Sequence, residues 1–309
     1  MQLCGIQRPL STATQGERKE MIVDLVSVET SDGVTLDGSF RRPEEGTRSN
    51  LPIDCMIMHH GIGGSFYDAH FHEVMAENFL ARGVAVLRVN NRGHDLAYNA
   101  PPHGRLGGAF ESVDDCRKDW KTWIDFAESQ GCERIGLWGH SLGAVKTIYF
   151  MAMENDARVK RVIASSPPRF SGSDYLARPD GGIFGAEVEY VRKLADAGDM
   201  EALFTITVPT PTLMTAGTFL DKYGPEERYD ILRHLPDVSG PILITIGGLE
   251  GNRPEFADRF GFGGLAGKIS EFAENSGNVS FNLIDGGDHF YTGLTDELWS
   301  VAEAWLAKT

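Results

Sequence analysis

The stretch Ile135-Gly136-Leu137-Trp138-Gly139-His140-Ser141-Leu142-Gly143 decides how this chain folds. Residues 134–138 make a short apolar run of buried-strand type, and a helix-forming segment, 141–153, begins at Ser141. Only Gly139 and His140 lie between, which leaves no room for a loop. Strand must pass into helix through a turn so tight that Gly139 and Gly143 are needed to spare neighbouring backbone, and the Ser141 side chain is pushed out above the sheet. The helix N-terminus below it favours developing negative charge.

Working outward, the same alternation recurs. Upstream, 53–58 reads as a buried strand, 71–82 as a helix and 84–89 as a β-branched strand, which together predict a parallel βαβ unit. A helix over 112–129 follows, with Val113, Cys116, Trp120, Trp123, Ile124 and Phe126 on its apolar face and Ser112 capping its first turn. At the start, 22–28 and 34–41 flank the turn Thr30-Ser31-Asp32-Gly33 and predict an antiparallel hairpin. Downstream come a strand at 161–164, a strand at 241–246, a helix over 255–275, a strand at 279–284 and a closing helix over 296–307. Between 165 and 240 the rhythm breaks. Pro167, Pro168, Pro179, Pro209 and Pro211 punctuate short amphipathic helices such as 187–197 and 226–235. The pattern predicts an α/β fold: a mostly parallel, doubly wound sheet of about eight strands formed by 22–170 and 238–309, with an insertion of short helices over 171–237 after the sixth strand.

Composition narrows the function. With 309 residues, 41% of them hydrophobic, the chain can bury one large core carrying an insertion rather than two independent halves. The net charge of −15 argues against a nucleic-acid partner, which needs clustered Lys and Arg. Cys4, Cys55, Cys116 and Cys132 lie far apart without ligand-like spacing, so neither a metal site nor a disulfide framework is expected. No apolar run has the length of a signal peptide or a membrane span, and the expectation is a soluble, cytoplasmic protein. The charged run from Asp114 to Asp119 reads as a solvated helix face.

A serine held at a strand–turn–helix junction in Gly139-His140-Ser141-Leu142-Gly143 is the setting of a nucleophile elbow. From about Ile22 to the C-terminus the chain resembles the α/β-hydrolase family of esterases, lipases and related enzymes. His59-His60-Gly61-Ile62-Gly63-Gly64-Ser65, after the strand at 53–58, is similar to the family's histidine-glycine oxyanion loop, which implies that the backbone N–H groups of Ile62 and Leu142 hold an oxyanion. Asp285-Gly286-Gly287-Asp288-His289-Phe290, after the last strand, implies His289 as the base for Ser141. The family's acid follows the preceding strand, which implies Glu250 in Gly247-Gly248-Leu249-Glu250-Gly251-Asn252, with Glu255 or Asp258 as alternatives. Arg92, in Asn90-Asn91-Arg92-Gly93, is expected to brace loops, and His59 and His60 to pack or orient them.

The resemblance implies a serine hydrolase that cleaves a carboxylic ester of a small to medium, partly apolar substrate through an acyl-enzyme, with no cofactor and no metal. The same triad would serve a thioester, amide, lactone or carbon–carbon bond, and the fold also supports a non-catalytic ligand receptor. The resemblance also implies that the insertion over 171–237 is a helical cap, in which Phe184, Tyr190, Leu203, Phe204, Leu213, Met214, Phe219 and Tyr223 could face the substrate or form a core of their own.

Overall fold

The computed structural model describes residues 23–68, 70–252 and 261–308. Eight strands form one sheet: β1 (Asp24–Glu29), β2 (Thr35–Arg41), β3 (Cys55–His59), β4 (Ala85–Val89), β5 (Ile135–His140), β6 (Val159–Ser165), β7 (Ile242–Gly247) and β8 (Val279–Ile284). Their spatial order is β1-β2-β4-β3-β5-β6-β7-β8. The hairpin β1–β2 and the β2–β4 pair are antiparallel, and the six strands from β4 to β8 run parallel. Strands β3, β4, β5 and β7 are buried at every residue, as parallel strands covered on both faces require.

Helices α1 (His70–Ala81), α2 (Cys116–Ser129) and α3 (Leu142–Glu154) follow β3, β4 and β5. One apolar core gathers α2 and α3 against the sheet around the fully buried Trp120 and Trp123. The opposite core holds Met75 and Phe79 of α1 with Trp138 and with Leu298 and Trp299 of the closing helix. Truncating a buried tryptophan here would cost about 3–5 kcal/mol. Cys55, Cys116 and Cys132 are free and buried. Among the described residues no helix is long and apolar enough to cross a membrane.

Two expectations about α2 change. Ser112 makes no side-chain cap, and a 3-10 turn, Val113–Asp115, precedes the helix. The Val113 N–H donates instead to Asp221 (2.8 Å) and the Asp114 N–H to the Tyr229 hydroxyl (3.1 Å). Groups far along the chain thus satisfy the free amides that a local cap would have taken. Nor is the charged run wholly solvated: Asp119 is fully buried and accepts from the Arg92 backbone N–H (2.9 Å) and guanidinium (2.8 Å). Arg92 also reaches Asp32 (2.9 Å), so it ties the opening hairpin to α2.

Between β6 and β7 the chain leaves the sheet. It forms α4 (Gly172–Leu176), α5 (Gly181–Asp196), a hairpin of Leu203–Ile206 with Thr212–Thr215, α6 (Ala216–Tyr223), α7 (Ile231–His234) and a 3-10 turn, Leu235–Asp237. The hairpin was not anticipated, and α5 begins six residues earlier than expected, within the glycines at 181, 182 and 185. The helix expected over 226–235 shortens to α7 because the Asp230 side chain caps the Leu232 N–H and starts the helix there. Phe184, Phe204 and Tyr223 each meet Phe219 in a tilted ring contact, so these aromatics form mainly a core within the insertion. Tyr190 and Leu203 are exposed. After β7 come α8 (Gly248–Asn252) and α9 (Leu265–Glu274), and α10 (Thr295–Leu306) closes the chain. Of the helix expected over 255–275, residues 253–260 lie outside the described residues, 261–264 form turns in which Gly261 and Gly264 take positive φ, and the helix runs from Leu265 to Glu274.

Candidate active site

In an open parallel sheet, ligands gather beyond the carboxyl ends of the strands. The loops after β3, β5, β7 and β8 meet there. Ser141, at the β5–α3 turn, has φ 55° and ψ −124°, a backbone conformation that L-residues seldom adopt. The turn holds because Gly143 offers no side chain where the His60 and His59 carbonyls press in. In-register pairing of β7 with β8, from Ile242 opposite Val279 to Gly247 opposite Ile284, carries the two following loops side by side.

His289 lies between Ser141 and Glu250. Its Nε2 is 3.0 Å from Ser141 Oγ, and its Nδ1 makes a short hydrogen bond to Glu250 Oε1. A carboxylate only accepts, so Nδ1 carries the proton and the Nε2 lone pair faces the serine hydroxyl. Glu250 is buried, and its second oxygen accepts from Ser166 Oγ (2.6 Å) and the Gly247 N–H (3.2 Å). Ser166 in turn meets the Tyr291 hydroxyl at 2.9 Å, and Tyr291 meets Thr245 Oγ1 at 3.0 Å. The His140 Nε2–H donates to the His289 carbonyl (2.7 Å), which fixes the backbone of the histidine loop.

Ile62 and Leu142 line the same cavity as Ser141 and His289. Neither backbone N–H finds an acceptor among the described residues. The structure therefore brings together Ser141, His289, Glu250, Ile62 and Leu142. Glu255 and Asp258 fall outside the described residues.

The loop bearing Ile62 is held from below. His60 Nδ1–H donates to Gly61 O (2.7 Å), and its Nε2 accepts from Asn91 Nδ2 (3.1 Å). Burial drives the His60 pKa down to about 4, so the ring stays neutral. Asn91 Oδ1 accepts from Lys146 Nζ (2.9 Å), and Lys146 pairs with Glu111 (2.5 Å), which also pairs with Lys222 (2.8 Å). This cluster is buried and joins α3, the loop after β4 and α6 of the insertion. Sequence reasoning missed it, because its members are 35 and 111 positions apart.

A family model described as the alpha/beta hydrolase family matches residues 56–296. The chain belongs to the alpha/beta hydrolase family. Solved structures agree on the fold of this alpha/beta hydrolase. The alpha/beta hydrolase GrgF from Penicillium sp. sh18 is 16% identical with a TM-score of 0.64, and the match covers 93% of this chain and 98% of that one. Est1E from Butyrivibrio proteoclasticus is 17% identical with a TM-score of 0.58, over 92% and 99%. The Pyrococcus furiosus esterase Pf2001 is 19% identical with a TM-score of 0.56, over 92% and 89%. No curated protein matches this hydrolase.

Proposed function

We propose that this alpha/beta hydrolase is a serine esterase acting on a small to medium, partly apolar carboxylic ester through an acyl-enzyme. The observation that carries the reading is the relay from Glu250 through His289 to Ser141 Oγ, 3.0 Å from Nε2, at the floor of a cavity. His289 Nε2 takes the Ser141 proton as Oγ attacks the ester carbon. The Ile62 and Leu142 amides stabilise the resulting oxyanion, and a lost donor of this kind costs about 3–4 kcal/mol. On collapse the ester C–O bond breaks and the leaving alcohol takes the proton from His289. Water, giving its proton to Nε2, then attacks the acyl carbon and frees the carboxylic acid and Ser141. Glu250 holds the imidazole in the required tautomer and stabilises the imidazolium. Residues 171–237 serve as a cap on the core at 22–170 and 238–309, a role supported by Pro209, Thr210, Thr212 and Tyr223, which wall the cavity above Ser141. One of the structural neighbours, Pf2001 of Pyrococcus furiosus, is called an esterase, which accords with this chemistry.

The test pairs a fluorophosphonate probe with p-nitrophenyl ester hydrolysis. Wild-type protein should label and turn over, and Ser141→Ala should lose both, with activity falling at least about 10⁴-fold. A folded wild type that neither labels nor hydrolyses esters sinks the proposal.

A further inference from the structure

Two cavities open onto Ser141 and His289, sharing also Ile62 and Thr210, and their walls differ. The narrow one, about 60 Å³, is bounded by Leu142, Pro168, Phe170, Pro209, Tyr223 and Phe262. The wide one, about 390 Å³, is bounded by His60, Ser65, Asp68, His72, His140 and Phe290. Building on the esterase reading, we infer that the substrate is asymmetric: a short apolar acyl group fills the narrow lobe, and a larger, uncharged alcohol rich in hydrogen-bond donors fills the wide one.

Size sets the first half. A water needs roughly 10–15 Å³ of such space, so the narrow lobe holds a chain of about two to four carbons. Its walls are mainly apolar, Thr210, Thr212 and Tyr223 apart, and favour an apolar acyl chain. Orientation follows from the proton. The leaving oxygen must be protonated by His289, and the wide lobe is walled by the next residue of that loop, Phe290, and by His140, which holds the His289 carbonyl. Leu142, whose amide would hold the acyl oxygen, lines only the narrow lobe.

Polarity sets the second half. Ser65 is 4% exposed and, with His60, Asp68, His72 and His140, gives the wide lobe a polar wall that suits a hydroxyl-bearing group. The Asp68 carboxylate accepts from the Ser65 N–H (2.8 Å) and is partly exposed on the same wall, where it favours donors and repels anions. Asp95 stands behind this loop, its N–H donating to Gly64 O (3.0 Å), and adds to the negative field.

The experiment measures kcat/KM of the full chain on two series. With p-nitrophenol fixed, acetate and butyrate should exceed octanoate by at least about tenfold. With butyrate fixed, the glycerol ester should exceed the pentyl ester, and the butyrate of glycolate, an anionic alcohol, should be the slowest. Ser65→Ala should lower the glycerol-to-pentyl ratio about fivefold, and Asp68→Asn should raise the glycolate-to-glycerol ratio by a similar factor. The wild-type series alone decide the matter if either variant fails to fold. Octanoate turned over as fast as butyrate, or pentyl butyrate preferred over glyceryl butyrate, overturns the assignment of lobes while leaving the esterase reading intact. Absence of both ester turnover and fluorophosphonate labelling at Ser141 removes the esterase reading and this inference with it.

Discussion

Two three-membered chains of acid and base lie close together in this molecule, and they are built in opposite order. In Glu250–His289–Ser141 an imidazole stands in the middle, the carboxylate is buried at one end, and the other end opens onto a cavity. In Lys146–Glu111–Lys222 the carboxylate stands in the middle, and both ammonium groups are buried with it. The pieces are similar, and the order decides their use. A ring with a donor on one side and an acceptor on the other can pass a proton toward a hydroxyl. A carboxylate between two ammonium groups is held below its usual range by both of them despite its burial, and it acts as a clamp between α3 and α6.

The largest expected effect breaks the first chain. In Glu250→Gln the amide oxygen should settle where Ser166 Oγ and the Gly247 N–H already donate, which turns the NH₂ toward His289 Nδ1. The ring must then carry its proton on Nε2 and cannot accept one from Ser141. In the proposed esterase reaction kcat should fall about 10⁴-fold, some 5 kcal/mol of barrier, while the denaturation midpoint moves little. Steady-state kinetics beside urea melts checks this pairing.

Breaking the second chain should reverse the pattern. Glu111→Gln leaves two buried ammonium groups without a counter-ion and should cost about 3–5 kcal/mol of stability. Chemical denaturation measures it, and a change under 1 kcal/mol would show that water reaches the cluster.

His60 sits where the two chains come nearest, on the loop that carries Ile62, and its pKa sharpens the contrast. The unfolded ring titrates near 6.5 and the folded one near 4. Between those values the unfolded state binds more protons, so the contribution of His60 is complete above pH 6.5 and is lost as pH falls toward 4. At pH 5 the loss is about 2 kcal/mol. Relative to wild type, His60→Gln should lose less stability between pH 7.5 and pH 5, and urea melts at both values measure the difference. Parallel pH dependences would mean that the ring protonates freely in the folded protein.

The smallest effect belongs to Lys121, paired with Asp125 on the exposed face of α2. Lys121→Met should change stability by no more than about 0.5 kcal/mol and vanish in high salt, in contrast to Glu111.

The same contrast accounts for what was legible in the sequence. Residues 279–284 were placed to the residue, and β5, α3 and β7 to within two, because buried parallel strands and the helices on them carry local periodicity. Ser141 and His289 were legible because each sits in a glycine turn tied to a strand end. Glu250 was one of several acids, and what singles it out is the β7–β8 register, which only the folded sheet supplies. The hairpin at Leu203–Ile206 and Thr212–Thr215 hid behind Pro209 and Pro211, which suggested broken helices, although the alternation in Phe204-Thr205-Ile206-Thr207-Val208 was a strand signal. Ser112 looked like a cap because local spacing cannot reveal that Asp221 arrives from the insertion. Glu111, Lys146 and Lys222 carried no local signal, since nothing near them in sequence foretells that three charges share one dry space.

The backbone of Ser141 has a cost of its own. A non-glycine residue at φ 55° and ψ −124° stores about 1–3 kcal/mol, which glycine would release. A library of this chain sorted for heat resistance alone would therefore gather glycine at position 141, and with Ser141 as the proposed nucleophile its most durable members would be its inert ones. Endurance and chemistry compete here for a single pair of torsions, and a screen must ask for both to keep either.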